Sequence, residues 1–382
     1  MSLMNRKRYL DKIDFNYRVH SVCGLLGPRQ VGKTTLAKLY AKKYKSVLFF
    51  DLENSRDLAQ LENPLLALQH RTEELVIIDE VQLRPDLFPT IRVLVDERPR
   101  RFLILGSASR DLLQQSSESL AGRIGYLELP PFGLYETHDL RTLWLRGGFP
   151  RSYLAANDAE SYAWRQAYIA TFMERDIPML GFNIPPVLMK RLWMMLAHYH
   201  GNILNSSELA NSLDISNHTV KRYIDILSGT FMIRQLQPWF ENIGKRQVKS
   251  PKVYIRDSGI LHALLNLPTF ELLSVYPRLG ASWEGFALEE IIKAYDLQTD
   301  ECFFWSTQSG AKIDLFCLHD GKRLGFEFKY TDTPRRTKSM HIAQETLKLD
   351  HLYLVHPHDR TFPISETVTA LGLQTLTHTP LV

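Results

Sequence analysis

The residues best suited to chemistry open the first third of the chain. Gly27-Pro28-Arg29-Gln30-Val31-Gly32-Lys33-Thr34-Thr35 reads G-x-x-x-x-G-K-T. Two glycines at that spacing let the backbone close around a polyphosphate, so that successive N–H groups and a helix N-terminus face negative charge. Lys33 is placed to reach the β- and γ-phosphates, and the Thr34 hydroxyl to sit in a Mg²⁺ shell. An apolar run, Val22 to Leu26, leads in, and a helical pattern (Leu36, Ala37, Leu39, Tyr40) leads out. Strand, loop and helix in that order turn the pattern into a mechanism. The expected ligands are ATP and Mg²⁺.

Three further strands must position that loop. Val47 to Asp51 reads as a buried strand, and Asn63-Pro64 starts a short helix. Leu75-Val76-Ile77-Ile78 then ends in Asp79-Glu80, four apolar residues followed by two carboxylates. In a parallel sheet that strand end lies beside the phosphate loop, so Asp79 is expected to hold Mg²⁺ with Thr34 and Glu80 to polarise the attacking water. After a helix from Leu87 to Val95, Phe102 to Leu105 ends in Gly106-Ser107, and Ser107 is suited to sense the γ-phosphate or the water. A strand lying between the two Walker strands with a polar tip marks the ASCE and AAA-type ATPases; a dehydrogenase would need G-x-G-x-x-G, which the chain lacks. Arg123 is expected at the nucleotide end of the sheet. Two readings stay open for it: an arginine stabilising phosphoryl charge on a neighbouring subunit, or a structural loop residue.

Composition bounds the rest. At 382 residues the chain is long enough for two or three domains, and 45% hydrophobic with 23% charged residues is ordinary globular usage. A net charge of +4, from 46 basic and 42 acidic residues, permits a nucleic-acid partner without requiring one. Three widely spaced cysteines, with no C-x-x-C, argue against a disulfide framework or zinc site and for a reducing cytoplasm. No apolar run approaches the roughly 20 residues of a membrane span, and no signal-peptide h-region follows Arg6-Lys7-Arg8.

From 136 to 200 the pattern is helical, interrupted by Gly147-Gly148-Phe149-Pro150, Pro178 and Pro185-Pro186. Arg175-Asp176 sits at the end of a long helix, with no role apparent. Within 201–256, Ser206 or Ser207 is expected to cap a helix from Glu208 to Leu213, and Asp214-Ile215 to form a turn. Ser216 or Asn217 is expected to cap a second helix, His218 to Leu227. Val220, Ile224 and Leu227 point inward there; Asn217, Lys221 and Arg222 point outward. Strands Phe231–Leu236 and Val253–Ile255 follow, and the loop between them carries Lys245, Arg246, Lys249 and Lys252. This is the winged-helix pattern. Phosphate contact by the wing and a purely packing role both fit it.

In the C-terminal third, Asp320-Gly321 predicts a type I′ hairpin that pairs His319 with Lys322 and, stepping back, Asp314 with Glu327. Two facing carboxylates repel unless something positive lies between them. Lys329 shares their face, and the helix from Ser282 to Lys293 supplies Glu284. Phe326, Phe328 and Tyr330 are expected on the opposite, buried face. D…E-x-K on adjacent strands is PD-(D/E)XK nuclease chemistry, with Glu284, Asp314 and Glu327 holding Mg²⁺ and Lys329 positioning water. A half-buried strand with a charged outer face is the other reading. Beyond residue 356 no chemistry is legible.

Taken together the chain resembles bacterial and archaeal AAA-type (AAA+) ATPases that carry a C-terminal domain of unknown function. The resemblance runs from Val19 to Tyr353. It rests on Gly27–Thr35, Leu75–Gln82, Leu105–Ser109, Leu120–Arg123 with Pro131-Phe132, and Arg146–Pro150. Glu174-Arg175-Asp176-Ile177, Pro251–Gly259 and Trp305…Asp314…Glu327-Phe328-Lys329 complete it. It departs at Trp305-Ser306 and Lys312-Ile313-Asp314, where members often have Trp-Arg and Glu-Val-Asp. The resemblance implies ATP binding and a restriction-endonuclease-like C-terminal fold. The expected architecture is therefore α/β: an N-terminal lead (1–18), an ASCE/AAA+ P-loop core (19–135), a helical lid (136–200), a winged helix (201–256) and a PD-(D/E)XK-like domain (257–382). The expected protein is cytoplasmic and homo-oligomeric, in a ring or filament, with nucleic acid as partner, DNA favoured over RNA, and no membrane association. The expected function is ATP-driven DNA processing or remodelling; the alternative is an ATP-dependent regulatory switch whose C-terminal domain binds a partner without cleaving nucleic acid.

Overall fold

The computed structural model describes residues 6–109, 120–240, 249–307 and 310–377. Lys245 and Arg246 therefore lie outside the described residues. The chain forms two compact units: Met1–Pro131 with Arg175–Asn183 and Asp225–Phe231, and Phe132–Glu174 with Ile184–Ile224 and Met232–Val382.

The first unit is built on five strands: β1 (Val22–Leu26), β2 (Val47–Asp51), β3 (Leu75–Asp79), β4 (Arg101–Gly106) and β5 (Ile124–Glu128). Their order is β2-β3-β4-β1-β5, and every pairing is parallel. β1 and β3 are buried throughout, as expected of unbroken apolar runs covered on both faces. One face is packed by Leu87, Phe88, Ile91 and Leu94 of the Leu87–Glu97 helix against Val76, Ile78, Phe102 and Ile104. β4 lies between the strands ending in the phosphate loop and in Asp79, as the sequence pattern required.

The second unit holds a sheet of nine strands. They are β6 (Asn202–Ile203), β7 (Ile233–Pro238), β8 (Lys252–Ile255), β9 (Cys302–Ser306), β10 (Lys312–His319), β11 (Lys322–Phe328), β12 (His351–His356), β13 (Phe362–Ser365) and β14 (Val368–Gly372). The order is β13-β14-β12-β11-β10-β9-β7-β8-β6. The hairpin expected for 201–256 and the strands expected for 257–382 thus share one sheet. β7 pairs in parallel with β9 through Gln237↔Phe303 and Pro238↔Phe304, a long-range pairing that no local periodicity reveals. The Leu279–Tyr295 helix covers one face with Trp283, Phe286, Leu288 and Ile291.

Helices Ser206–Leu213 and Asn217–Gly229 and the antiparallel β7–β8 pair lie where expected. The first cap is Asn205, whose side chain accepts from the Glu208 N–H at 3.2 Å, rather than Ser206 or Ser207. Ser216 caps the second, accepting from the Thr219 N–H at 3.0 Å. The β10–β11 turn pairs His319 with Lys322, and Asp320 (φ 50°) and Gly321 (φ 75°) supply the left-handed pair a type I′ turn needs.

Two sequence motifs turn out to interlock. Asp257 accepts from the Gly148 N–H at 2.8 Å and caps the Ser258–Leu264 helix through the Ile260 N–H at 2.9 Å. A Cβ on Gly147 (φ 74°) would meet the Asp257 carboxylate at 2.1 Å. The buried Arg165 donates to the carbonyls of Leu145 and Gly259. Gly147-Gly148 and Asp257-Ser258-Gly259 are joinery.

Candidate active site

β1 delivers the phosphate loop, and the Lys33–Ala41 helix begins directly behind it. Gly32 at the helix N-cap has φ 98°, a conformation costly for any residue with a Cβ. Lys33 is buried and donates to the carbonyls of Gly27 and Pro28 at 2.8 and 2.9 Å. Burial pulls its pKa down to about 8, against the raising influence of Glu80 and Asp79.

The Thr34 hydroxyl donates to Asp79 Oδ2 at 2.6 Å. Hydroxyl and carboxylate meet because both follow the ends of parallel strands. Their oxygens are the hard donors Mg²⁺ takes, so the expected Thr34–Asp79 pair fits that ion. Burial raises the Asp79 pKa, opposed by the Thr34 hydrogen bond. Glu80 follows with φ 57°, a left-handed conformation found at strained functional positions. Its Oε2 accepts from Ser107 Oγ at 3.3 Å and from Gln82 Nε2, which also donates to Ser107 Oγ at 2.9 Å. Gln82 was not among the residues the sequence singled out for chemistry. Its signal is its position two residues after Glu80, on the single turn Val81–Leu83.

Arg29, in the loop, pairs with Asp176 and with Glu53 Oε1 at 2.5 Å; Arg175 reaches the same Glu53 oxygen at 3.5 Å. Asp176 closes a π-helical turn, Phe172–Asp176, a rare geometry concentrated at functional sites. Arg175-Asp176, without an apparent role in sequence, therefore belongs to the nucleotide loop's surroundings.

Arg123 is a correction. β5 runs parallel to β1, and the Arg123 carbonyl accepts from the Val22 N–H at 3.0 Å. It stands where these strands begin, whereas the phosphate loop stands where β1 ends. Its guanidinium is bound bidentately to Asp96 at 2.6 and 2.9 Å.

In the second unit Glu284, Asp314 and Glu327 are all largely or fully buried, so the charged face of the β10–β11 pair is not an outer face. Lys252, expected in the wing loop among phosphate-contacting residues, is instead the first residue of β8. It is buried and contacts Glu284 Oε1 at 3.0 Å and Asp314 Oδ1 at 3.4 Å. Lys312 Nζ is 3.1 Å from the same Asp314 oxygen, and Lys329 Nζ 2.7 Å from Glu327 Oε1. Burial works to raise the Asp314 pKa, but Lys252 and Lys312 hold it below its ordinary value; burial and Asp314 push Glu327 up to about 7. Phe326 and Phe328 are buried as expected; Tyr330 is exposed, lying against Trp144 and Trp283. Among the described residues, no group of three or more His, Cys, Asp or Glu is arranged to hold a metal ion.

Taken together, the central β4, the loop on β1 and the Thr34–Asp79–Glu80 constellation define a P-loop ATPase of the AAA type. Family models agree along the chain: an AAA domain (AAA_14) matches residues 19–138, and domains of unknown function match 137–271 (DUF8612) and 279–376 (DUF4143). Two mycobacterial proteins, each described as uncharacterized, are 48% identical over 351 residues: Rv2008c of Mycobacterium tuberculosis and Mb2031c of Mycobacterium bovis. The match covers 91% of this chain and 79% of each relative, so the chain belongs to the family of these two proteins. Among solved structures, the Walker-type ATPase PABY2304 of Pyrococcus abyssi is 15% identical over 69% of this chain and 96% of its own, with a TM-score of 0.49. The Aeropyrum pernix ORC1 protein in complex with DNA is 12% identical over 70% and 93%, with a TM-score of 0.36. No helix among the described residues is long and apolar enough to cross a membrane.

Proposed function

We propose that the protein couples ATP hydrolysis to work on DNA. The observation that carries the hydrolytic part is the Glu80–Gln82–Ser107 network beside the Thr34–Asp79 pair. Loop N–H groups and Lys33 hold the β- and γ-phosphates. Thr34 and Asp79 would hold Mg²⁺, which when bound would supply neutralisation of charge developing on the phosphate oxygens. Glu80 accepts the proton of the attacking water, and Gln82 and Ser107 fix its carboxylate for that task. The DNA part is supported by the helix–turn–helix with exposed Lys221 and Arg222 beside the β7–β8 pair. Assembly into a ring or filament goes with this reading as a further expectation, and Arg123, engaged with Asp96, lends it no support.

ATP hydrolysis by the wild type and Glu80→Gln, with and without single-stranded, duplex and four-way-junction DNA, tests the reading. Severalfold stimulation by one DNA supports it. A flat, slow rate with every DNA refutes the DNA part and leaves the second reading, a nucleotide switch. The Arg29–Asp176 tie favours that alternative, because it joins the phosphate loop to Arg175–Asn183, from which the chain runs into the second unit at Ile184.

A further inference from the structure

The carboxylates on β10, β11 and the Leu279–Tyr295 helix raise a question separate from ATP. Asp314 is fully buried, yet each of its oxygens already has donors. Oδ1 takes Lys252 and Lys312, and Oδ2 takes the Phe328 N–H at 3.3 Å. Glu284 Oε1 takes Lys252 and the Tyr254 hydroxyl, the latter at 2.6 Å. Glu327 is paired with Lys329 through Oε1, and its Oε2 is the one buried oxygen of the three carboxylates left without a hydrogen-bond partner among the described residues. Three carboxylates thus face three ammonium groups.

A divalent ion sharing Glu284 and Asp314 would need those same lone pairs at about 2.0–2.6 Å and would sit against the Lys252 ammonium. That lysine has little room to withdraw. Its backbone is paired on both sides, to Leu236 of β7 and Ile203 of β6. Its head lies 5.7 Å from the Phe304 ring centre and 6.0 Å from that of Tyr254, and a buried charge stripped of its partner is strongly destabilising. The residues do not fit a metal.

We infer that the Lys252 ammonium is the resident cation of this cluster, so that the nuclease-like carboxylates of the second unit bind no divalent metal and cleave no phosphodiester bond. The lysine comes from β8, far from the hairpin in sequence, and does there the charge-neutralising task a metal does in a D…E-x-K site. The cluster becomes a fixed ionic joint between β8, β10 and the Leu279–Tyr295 helix.

Mn²⁺ titration of the full chain, followed by electron paramagnetic resonance, tests this. Thr34→Ala and Asp79→Asn first remove the ion site of the ATPase unit. That chain and the same chain with Asp314→Asn are expected to bind identical amounts of Mn²⁺. A site tighter than about 1 mM that Asp314→Asn abolishes overturns the inference, as does DNA cleavage that depends on Asp314. In the same background Lys252→Met is expected to raise Mn²⁺ affinity about tenfold or more by removing the competing charge, and Lys252→Arg to leave it unchanged. Unchanged Mn²⁺ affinity in a Lys252→Met chain with native tryptophan emission also overturns it. If Lys252→Met does not fold, the Asp314→Asn comparison decides alone.

Discussion

Asp176→Asn is the substitution that most directly probes how the phosphate loop is held. Arg29 makes charge-assisted hydrogen bonds to Asp176 and Glu53, and Asp176 is buried while Arg29 is largely so. The guanidinium is therefore already committed to carboxylates, which hold its pKa up against burial. The Asp176 charge also reaches the Lys33 ammonium. A hydrogen bond to a charged group contributes about 1.5–3 kcal/mol, and part of that is surrendered if Arg29, as a residue of the phosphate loop, leaves Asp176 for a bound phosphate. With asparagine, Arg29 keeps Glu53 and loses its stronger tie, and one negative charge leaves the vicinity of Lys33. The expected gain in MgATP affinity is about 1–2 kcal/mol, or roughly 5- to 30-fold. Fluorescent-nucleotide titration at fixed salt measures it, with Arg29→Gln as the converse, expected to weaken binding. Weaker binding by Asp176→Asn would refute the reasoning and show that the pair preorganises the loop instead.

Three further outcomes follow from the same geometry. Glu80→Gln should lower turnover about 10²- to 10⁴-fold, and Gln82→Ala by less, with nucleotide affinity unchanged in both; steady-state hydrolysis beside binding titration separates the two effects. Arg123→Ala should leave turnover intact at saturating enzyme concentration, because its guanidinium is engaged with Asp96 at the other end of β5; a collapse in rate there would reinstate it as a finger. Glu289 is buried, and although burial opposes it, Arg234 and Arg256 draw its pKa from 4.5 down to about 2. A depressed carboxylate contributes stability above its unfolded pKa and loses it as pH falls from about 4.5 toward 2. Glu289→Gln should cost about 3–5 kcal/mol near neutral pH and flatten that acid limb. Urea unfolding followed by tryptophan emission reads it in the second unit, where Trp144, Trp164, Trp193, Trp239, Trp283 and Trp305 all lie.

The sequence alone determined the features that depend on neighbours along the chain. G-x-x-x-x-G-K-T between an apolar run and a helix specifies a phosphate loop, because glycine conformation and the helix N-terminus are local. Four apolar residues before Asp79-Glu80 specify a buried parallel strand ending in acids. Asp320-Gly321 fixes a type I′ turn, and strand alternation then carries the register back to Asp314 and Glu327. Tertiary structure decided what those residues meet. Sequence order carries no information about which edge of a sheet a loop occupies, so only the parallel pairing of β5 with β1 moved Arg123 to the far end of the strands. Arg175-Asp176 lies well over a hundred residues from Arg29 and joins it only through folding. Lys252 read as one more lysine of a basic loop; burial within a nine-stranded sheet made it the cation its carboxylates require, since charge inside a protein must be matched by whatever the fold brings alongside.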